Sequence, residues 1–581
     1  MPTKLIKAND QIANLVTNKY TAAKNFQLPL YNNFIEYYKL YRSVRDNTRQ
    51  HYAGRAKLFV PYIYQTIETI MPRLVGGKPK IESIPREMTD IESASVMTKL
   101  TDYQWDMMNM KKKVKDWVKQ GLLYGVGFLK LTWKYEGETG YDGPCAEVCD
   151  VFDIFVDPDA TTLSDAKYII HRVERNIAEL KANPKYKIPD ELSADVQKDQ
   201  YKVLRDAVQG LSKPNDKDSK CVEVFEYWGK YDINGDGIEK ECLICVANRK
   251  YVIRLDENPY EHKRKPFISF VDTQMPNEFW AIGEVEPLKN LQYELNDIRN
   301  QRMDNVTLIL NRMWKVNKNG DVDEADLVSQ AGGIVHVGDN NALEVIQTPD
   351  VTASSYNEET LVKADMQQAS GVTDYTKGSS AGGKGNSALA NETATGIMLL
   401  QEAGNARFKF KLDNLEDSLK EFGEQLNALN QQFIKKPMVI RIVGEEGTQW
   451  KQVSPKEIKG QFDIMVEAGS TQPMSKSVRR AEARELLMTL IPIAQVAGIN
   501  LRYLIKYLLK TYDLADSEEI FIQAIPTTVP GPEQAMAAMA GAQGAAFGGL
   551  GAATSNVPQQ RMGGSEIPTG EEIQQSQTGA Y

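Results

Sequence analysis

The chain has 581 residues, 42% hydrophobic and 25% charged, which is ordinary for a water-soluble globular protein and long enough for several structural units. A formal net charge of −9 argues against a protein whose task is to grip nucleic acid, because that grip comes mainly from lysine and arginine neutralising phosphate. Five cysteines, sparse and odd in number, speak against a disulfide-built secreted scaffold and fit a reducing bacterial cytoplasm.

The opening MPTKLIKANDQIANLV lacks the apolar core of a secretion signal. The most hydrophobic stretch, 486–499, is interrupted by Thr489, Pro492 and Gln495 and is too short to span a bilayer, so no membrane association is expected. Residues 1–125 read as mainly helical. Over 98–124, Leu100, Tyr103, Met107, Val114, Trp117, Val118 and Leu122 recur near helical spacing, which predicts one helix with Lys111, Lys112, Lys113 and Lys115 mostly on its wet face. Residues 126–275 change to β character in VGFLKLTWKY, CAEVCDVFDIFVDP, KYIIHRVE, VEVFEYWGKY, ECLICVANRKYVIRL and KPFISFV, with a helical insertion near 178–183. The run Asn234-Gly235-Asp236-Gly237 is a hairpin signal, so the region is predicted to be mixed and mostly antiparallel.

From Gly283 the pattern is helical again. Pro287 suits the first helical position, and Leu288, Leu291, Leu295 and Ile298 follow at spacings of three and four, predicting a helix to about Arg312. The rest of its surface carries Asn290, Gln292, Asn296, Asn300, Gln301 and Asn305. That surface suits lateral packing against copies of the same helix, or simple exposure to solvent. Residues 313–351 read as a compact insertion of short strands (MWKVNK, GGIVHV, LEVIQ). Lys315 and Lys318 face Asp321, Asp323, Glu324, Asp326, Asp339, Glu344 and Asp350, a net −5 with His336 neutral. A second helix is predicted over about 354–370, followed by the glycine- and serine-rich loop TDYTKGSSAGGKGNSALANET, 372–392.

Then Phe408, Leu412, Leu415, Leu419, Phe422, Leu426, Leu429 and Phe433 alternate by four and three, predicting a long helix from about 391 to 433, roughly 60 Å at 1.5 Å per residue. Gly404 marks a place where it can kink. MVIRIVG (438–444) and QFDIMVEAG (461–469) read as a short β unit linked by a turn-rich stretch, with helices from 477 to about 512 after it. From Pro526 the composition is alanine, glycine, glutamine and methionine with no amphipathic period, and disorder is expected in an isolated subunit.

Chemistry is repeatedly near and incomplete. GSSAGGKG (378–385) matches seven positions of a phosphate-binding P-loop, but Gly385 replaces the magnesium-holding Ser or Thr and no buried strand precedes it. Asp232, Asn234, Asp236 and Gly237 begin like a calcium loop, but Leu243 stands where a bidentate Glu is needed. Cys242 and Cys245 with Cys145 and Cys149 would supply four thiolates. Three residues apart in a strand, however, Cys242 and Cys245 point to opposite faces, so buried structural thiols are expected. The turn at Asp157-Pro158-Asp159 with Asp153 is explained as a turn, and the run His262-Lys263-Arg264-Lys265 as a solvated surface cluster. His51, His171, His262 and His336 enter no nucleophile or metal motif. No catalytic residue, metal or cofactor is predicted.

The order of parts resembles phage portal (head-to-tail connector) proteins, particularly those of short-tailed enterobacterial phages, over roughly residues 30–515. The resemblance rests on QGLLYGVGFLKLTW (120–133), VFDIFVDPDA with DAKYIIHR (151–160, 165–172), NPYEHKRKPF (258–267), GEVEPLKNLQYELNDIRNQRMDN (283–305), ETATGIMLLQEAGNARF (392–408), and FDIMVEAGS with QPMSKSVRR (462–470, 472–480). It implies an α+β portal fold. Residues 1–275 and 435–470 would form the wing, 276–312 and 352–371 the two stem helices, and 313–351 the clip. Residues 372–392 would be the tunnel loop, 393–434 the long spine helix, 471–525 a short helical crown and 526–581 a flexible tail. A helical barrel reaching deep into the head is not expected from that tail.

The resemblance further implies a homo-oligomeric ring, usually a dodecamer, at one capsid vertex of the virion and assembled in the host bacterial cytoplasm. Double-stranded DNA would pass through it non-specifically in packaging and ejection. Partners would be the terminase large subunit, head-to-tail adaptor proteins, and the major capsid and scaffolding proteins. Candidate site residues are Lys377, Gly378, Gly383, Lys384 and Asn386 in the tunnel loop, and Asp321, Asp323, Glu324 and Asp326 for docking at the clip. For packing they are Leu288, Leu291, Leu295 and Ile298 in the stem, and Phe408, Leu412, Leu415, Leu419, Phe422 and Leu426 in the spine. The alternatives are a nucleotide-binding or nucleic-acid-processing enzyme, resting on the defective P-loop, and another virion ring or adaptor protein.

Overall fold

A computed structural model describes residues 2–44, 55–136, 140–194, 200–210, 221–233, 235–311, 313–327, 334–350, 352–373, 394–444 and 447–467, with 480, 483–490, 505 and 508 beyond them. The chain divides into two compact units, Met1–Ser475 and Lys476–Tyr581. In the second, residues 483–490 are helical. The remaining description concerns the first.

Helix α1 (Pro2–Tyr41) turns Tyr20, Tyr31 and Phe34 into the core, and α2 (Tyr62–Val75) buries Ile63, Ile67, Ile70 and Leu74 at helical spacing. After strand β1 (Ile81–Pro85), the single helix expected over 98–124 is two, α3 (Ile91–Met107) and α4 (Met110–Tyr124). The break falls at Asn109, which adopts a left-handed φ of 53°, a conformation asparagine tolerates better than most residues. Lys111, Lys112 and Lys115 of α4 are exposed, as their spacing predicted.

The β region follows: β2 (Val126–Glu136), β3 (Tyr141–Cys149), β4 (Ile154–Val156), β5 (Tyr168–Asn176), short helices α5 (Ile177–Ala182) and α6 (Gln200–Val208), β6 (Cys221–Tyr231), β7 (Lys240–Ala247), β8 (Tyr251–Glu257) and β9 (Phe267–Val271). A three-stranded sheet has the order β3-β2-β9 and a five-stranded sheet the order β4-β5-β6-β7-β8, with every neighbouring pair antiparallel. The turn between β6 and β7 is a hairpin loop in which both carboxylate oxygens of Asp232 accept main-chain N–H bonds, from Gly235 and Gly237, each at 2.7 Å. The two sheets meet at a buried ionic contact, Lys130 of β2 with Glu226 of β6, and Lys130 Nζ lies 3.3 Å from His171 Nδ1. Burial, then Lys130, holds the His171 imidazole below its ordinary pKa.

Helix α7 spans Val285–Leu310, so Pro287 is its third residue rather than its first, still in the turn whose N–H groups need no helical partner. Strands β10 (Met313–Val316) and β11 (Leu343–Ile346) form an antiparallel pair. Helix α8 (Thr352–Ser370) returns beside α7, and α9 (Ala394–Phe433) crosses the body. At the end of the unit, β12 (Met438–Gly444) pairs with β13 (Gly447–Val453), and β14 (Phe462–Val466) pairs with β1, Ser83 opposite Ile464. The two strands read as one small unit therefore belong to different sheets. The stretch between them read as turn supplies β13, and β14 finds its partner nearly 400 residues earlier.

Helix α9 organises the interior. Phe408, Leu412, Leu415, Leu419, Phe422, Leu426 and Leu429 are all buried in the main core. A neighbouring polar row covers the open edge of β9: Ser418 Oγ donates to Ser269 O at 2.9 Å, and Asn414 Nδ2 donates to Asp272 O at 3.0 Å. An edge strand left bare would present unpaired carbonyls, and here a helix satisfies them. Further along, Gln104 and Asn430 exchange two amide hydrogen bonds, 2.6 and 2.9 Å, in a fully buried setting that locks α3 to α9.

Candidate functional site

The helix pair α7–α8 and the β10–β11 insertion between them differ from the rest of the unit. Between Leu295 and Val362 the one buried apolar residue among those described is Ala342. Over the same span Met303, Leu308, Leu310, Met313, Ile334, Val337, Ile346, Tyr356 and Leu361 are exposed, with Ile334 73% and Leu310 69% accessible. An isolated two-stranded pair is marginal in water, and the insertion leaves most of its large apolar side chains uncovered within the subunit.

The root of α7 is firmly seated. Leu288 and Leu295 are fully buried, while Leu291 and Ile298 are half-buried against the same core. The amide-rich face of α7 is used within the chain. Gln292, Asn296, Asn300 and Asp304 form a ladder at intervals of four that binds the main chain of 56–63. Asn296 Oδ1 accepts from Val60 N at 2.9 Å, Asn300 Oδ1 from Leu58 N at 2.6 Å and Asp304 Oδ1 from Ala56 N at 2.6 Å. Gln292 Nε2 donates to Val60 O at 2.7 Å, and Gln292 Oε1 accepts from Ile63 N at 3.2 Å. The periods match: four helical residues rise about 6 Å, and two extended residues about 6.6 Å. Neither lateral packing on copies nor simple solvation accounts for these three amides.

Across α7 and α8, Glu359 receives Arg302, Arg299 and Lys363, and the Arg302 guanidinium lies 4.1 Å from the ring centroid of Tyr356. Burial pushes the Glu359 carboxyl up, but Lys363 and Arg302 outweigh it and hold it below its usual range. In the insertion, Asp321, Asp323 and Glu324 are exposed. Asp323 accepts from Ala325 N at 3.0 Å to cap a short turn, and Asp326 pairs with His336 at 2.6 Å, which lowers its pKa. Lys315 and Glu344 pair across β10 and β11 at 2.8 Å.

Lys377, Gly378, Gly383, Lys384 and Asn386 lie outside the described residues, as does the rest of the expected tunnel loop 372–392 from 374 onward. Cys242 and Cys245 are both buried on β7, and burial pushes the Cys242 thiol up to about 11. Among the described residues, no group of three or more His, Cys, Asp or Glu side chains is arranged to hold a metal, and no helix is long and apolar enough to cross a membrane. Sequence reading missed the ladder, the Glu359 hub, and a buried contact of Lys411 with Asp272 and Glu284. For the ladder a signal was present, namely four hydrogen-bonding side chains at spacing four.

Two family models match the chain. The one described as Phage P22-like portal protein matches residues 30–235, and the one described as Phage SU10 portal protein matches residues 138–546. Portal families are structural and non-enzymatic. The second match covers well over half of the 581 residues, and the mixed helix-and-sheet architecture agrees with it; the chain belongs to the phage portal proteins.

Proposed function

We propose that this chain is one subunit of the ring at a capsid vertex through which viral DNA is packaged and ejected. The carrying observation is the segment between Leu295 and Val362, which among the described residues has one buried apolar residue and nine large exposed ones. Identical copies side by side would cover that surface, so α7 and α8 serve as the stem and the β10–β11 insertion as the clip. Twelve copies is the ring number this reading takes from the family. The seam of α9 is filled within the subunit, so α9 acts as the spine that holds stem to wing rather than as the contact between copies.

The exposed acids Asp321, Asp323 and Glu324 at the clip are the proposed docking face for the terminase large subunit and later for adaptor proteins. The net charge of −9 per copy gives the ring a field that repels phosphate and limits adhesion of passing duplex. Lys377 and Lys384 in the 372–392 loop would supply transient contact with DNA. Capsid and scaffolding proteins complete the proposed partners, at a virion vertex assembled in the bacterial cytoplasm.

Negative-stain imaging with sedimentation of the purified chain tests the reading. Rings with an axial hole are expected, and the double variant Leu310→Lys, Ile346→Lys is expected to stay folded but not assemble. A wild-type chain that is monomeric at every concentration overturns the proposal.

A further inference from the structure

Where β9 ends, α7 begins and α9 passes, three charged side chains meet away from water. Lys411 Nζ lies 2.5 Å from Asp272 Oδ1 and 2.5 Å from Glu284 Oε1. Asp272 has no exposed surface, Glu284 is 8% exposed and Lys411 8%. The second oxygen of Asp272 is buried with no hydrogen-bond partner. The main chain is equally tight: Asp272 N donates to Gly125 O at 3.0 Å and Glu284 N to Leu122 O at 2.8 Å. Gly125 has a φ of 87°, and a Cβ there would stand 1.8 Å from Ala281 O, so neither glycine nor the close approach is replaceable.

Two carboxylates around one ammonium leave a buried net charge of −1, which a low-dielectric site disfavours. One added proton on Asp272 makes the cluster neutral and relieves the second oxygen of the charge that no partner there compensates. We propose that Asp272, Lys411 and Glu284 form a proton-sensitive latch that fixes the head of α7 to the β9 edge and to α9, closed when Asp272 carries a proton and loosened when it leaves. The charged groups acting on Asp272 are Lys411 from α9 and Glu284 at the head of α7, while the turn from α4 brings only the Gly125 carbonyl. Burial, opposed by Lys411 and reinforced by Glu284, raises the Asp272 carboxyl to about 7. The folded site therefore holds a proton that an opened site releases, and its stability falls as pH rises from about 4 towards 7. The latch lies within one subunit and does not depend on the ring.

Hydrogen exchange of 272–285 in the full chain at pH 5.5 and 8.0, corrected for intrinsic rates, tests this. Wild-type protection is expected to fall roughly tenfold or more at the higher pH. Asp272→Asn, and independently Glu284→Gln, which leaves one acid for one lysine, should hold protection nearly level. If Asp272→Asn does not fold, wild type against Glu284→Gln decides. A wild-type profile without the fall, or the same fall in the variants, overturns the latch.

Discussion

Asn300 and Leu58 exchange two hydrogen bonds: Leu58 N donates to Asn300 Oδ1 at 2.6 Å and Asn300 Nδ2 donates to Leu58 O at 3.1 Å. A side-chain amide here replaces the strand partner that segment 55–61 lacks. With Gln292, Asn296 and Asp304 it turns one helix face into a template for an extended main chain. Side-chain-to-main-chain bonds of this kind fix a segment with no regular structure of its own against the root of α7.

Asn296→Leu removes the buried acceptor for Val60 N and leaves that donor without a partner. A loss of about 1–3 kcal/mol is expected, read as a lower urea midpoint at unchanged slope. A midpoint equal to wild type would show that the ladder contributes nothing.

Glu359 gathers three cations, and Arg302 beside it has only 3% of its side chain exposed. Glu359→Ala strands that guanidinium, so a loss of about 3–5 kcal/mol is expected in thermal or urea unfolding. Glu359→Ala with Arg302→Met should recover much of it, and a double variant no better than the single would refute the pairing as the cause.

Leu419 is fully buried in the α9 seam. Leu419→Ala should cost about 2–5 kcal/mol, and Leu419→Asp should give insoluble or unassembled chains. Normal yield and normal rings from the aspartate variant would remove the seam from the core.

Deleting 376–388 takes out Lys377 and Lys384 without touching α7, α8 or the α9 seam. Rings should form as in wild type, whereas packaging or retention of DNA in particles should drop. Loss of the ring itself in the deletion would contradict that division of labour.

The sequence by itself determined the elements whose signal is periodic and long. The seam from Phe408 to Phe433 repeats often enough to specify a helix, because burying one face imposes that spacing whatever the partner, and the runs of β-favouring residues between Val126 and Val271, separated by turn residues, specify strands. Pairing over distance was decided only by the tertiary structure. Nothing local to Phe462–Val466 says that it will meet Ile81–Pro85, and nothing near Lys411 shows that it will sit between Asp272 and Glu284. The amides of α7 make the same point: their spacing was visible, but whether they faced water, a copy or the chain's own backbone depended on where 56–63 was carried by the fold. Hydrophobic periodicity is written residue by residue, whereas hydrogen bonds and buried charges take their meaning from partners that only the folded chain brings near.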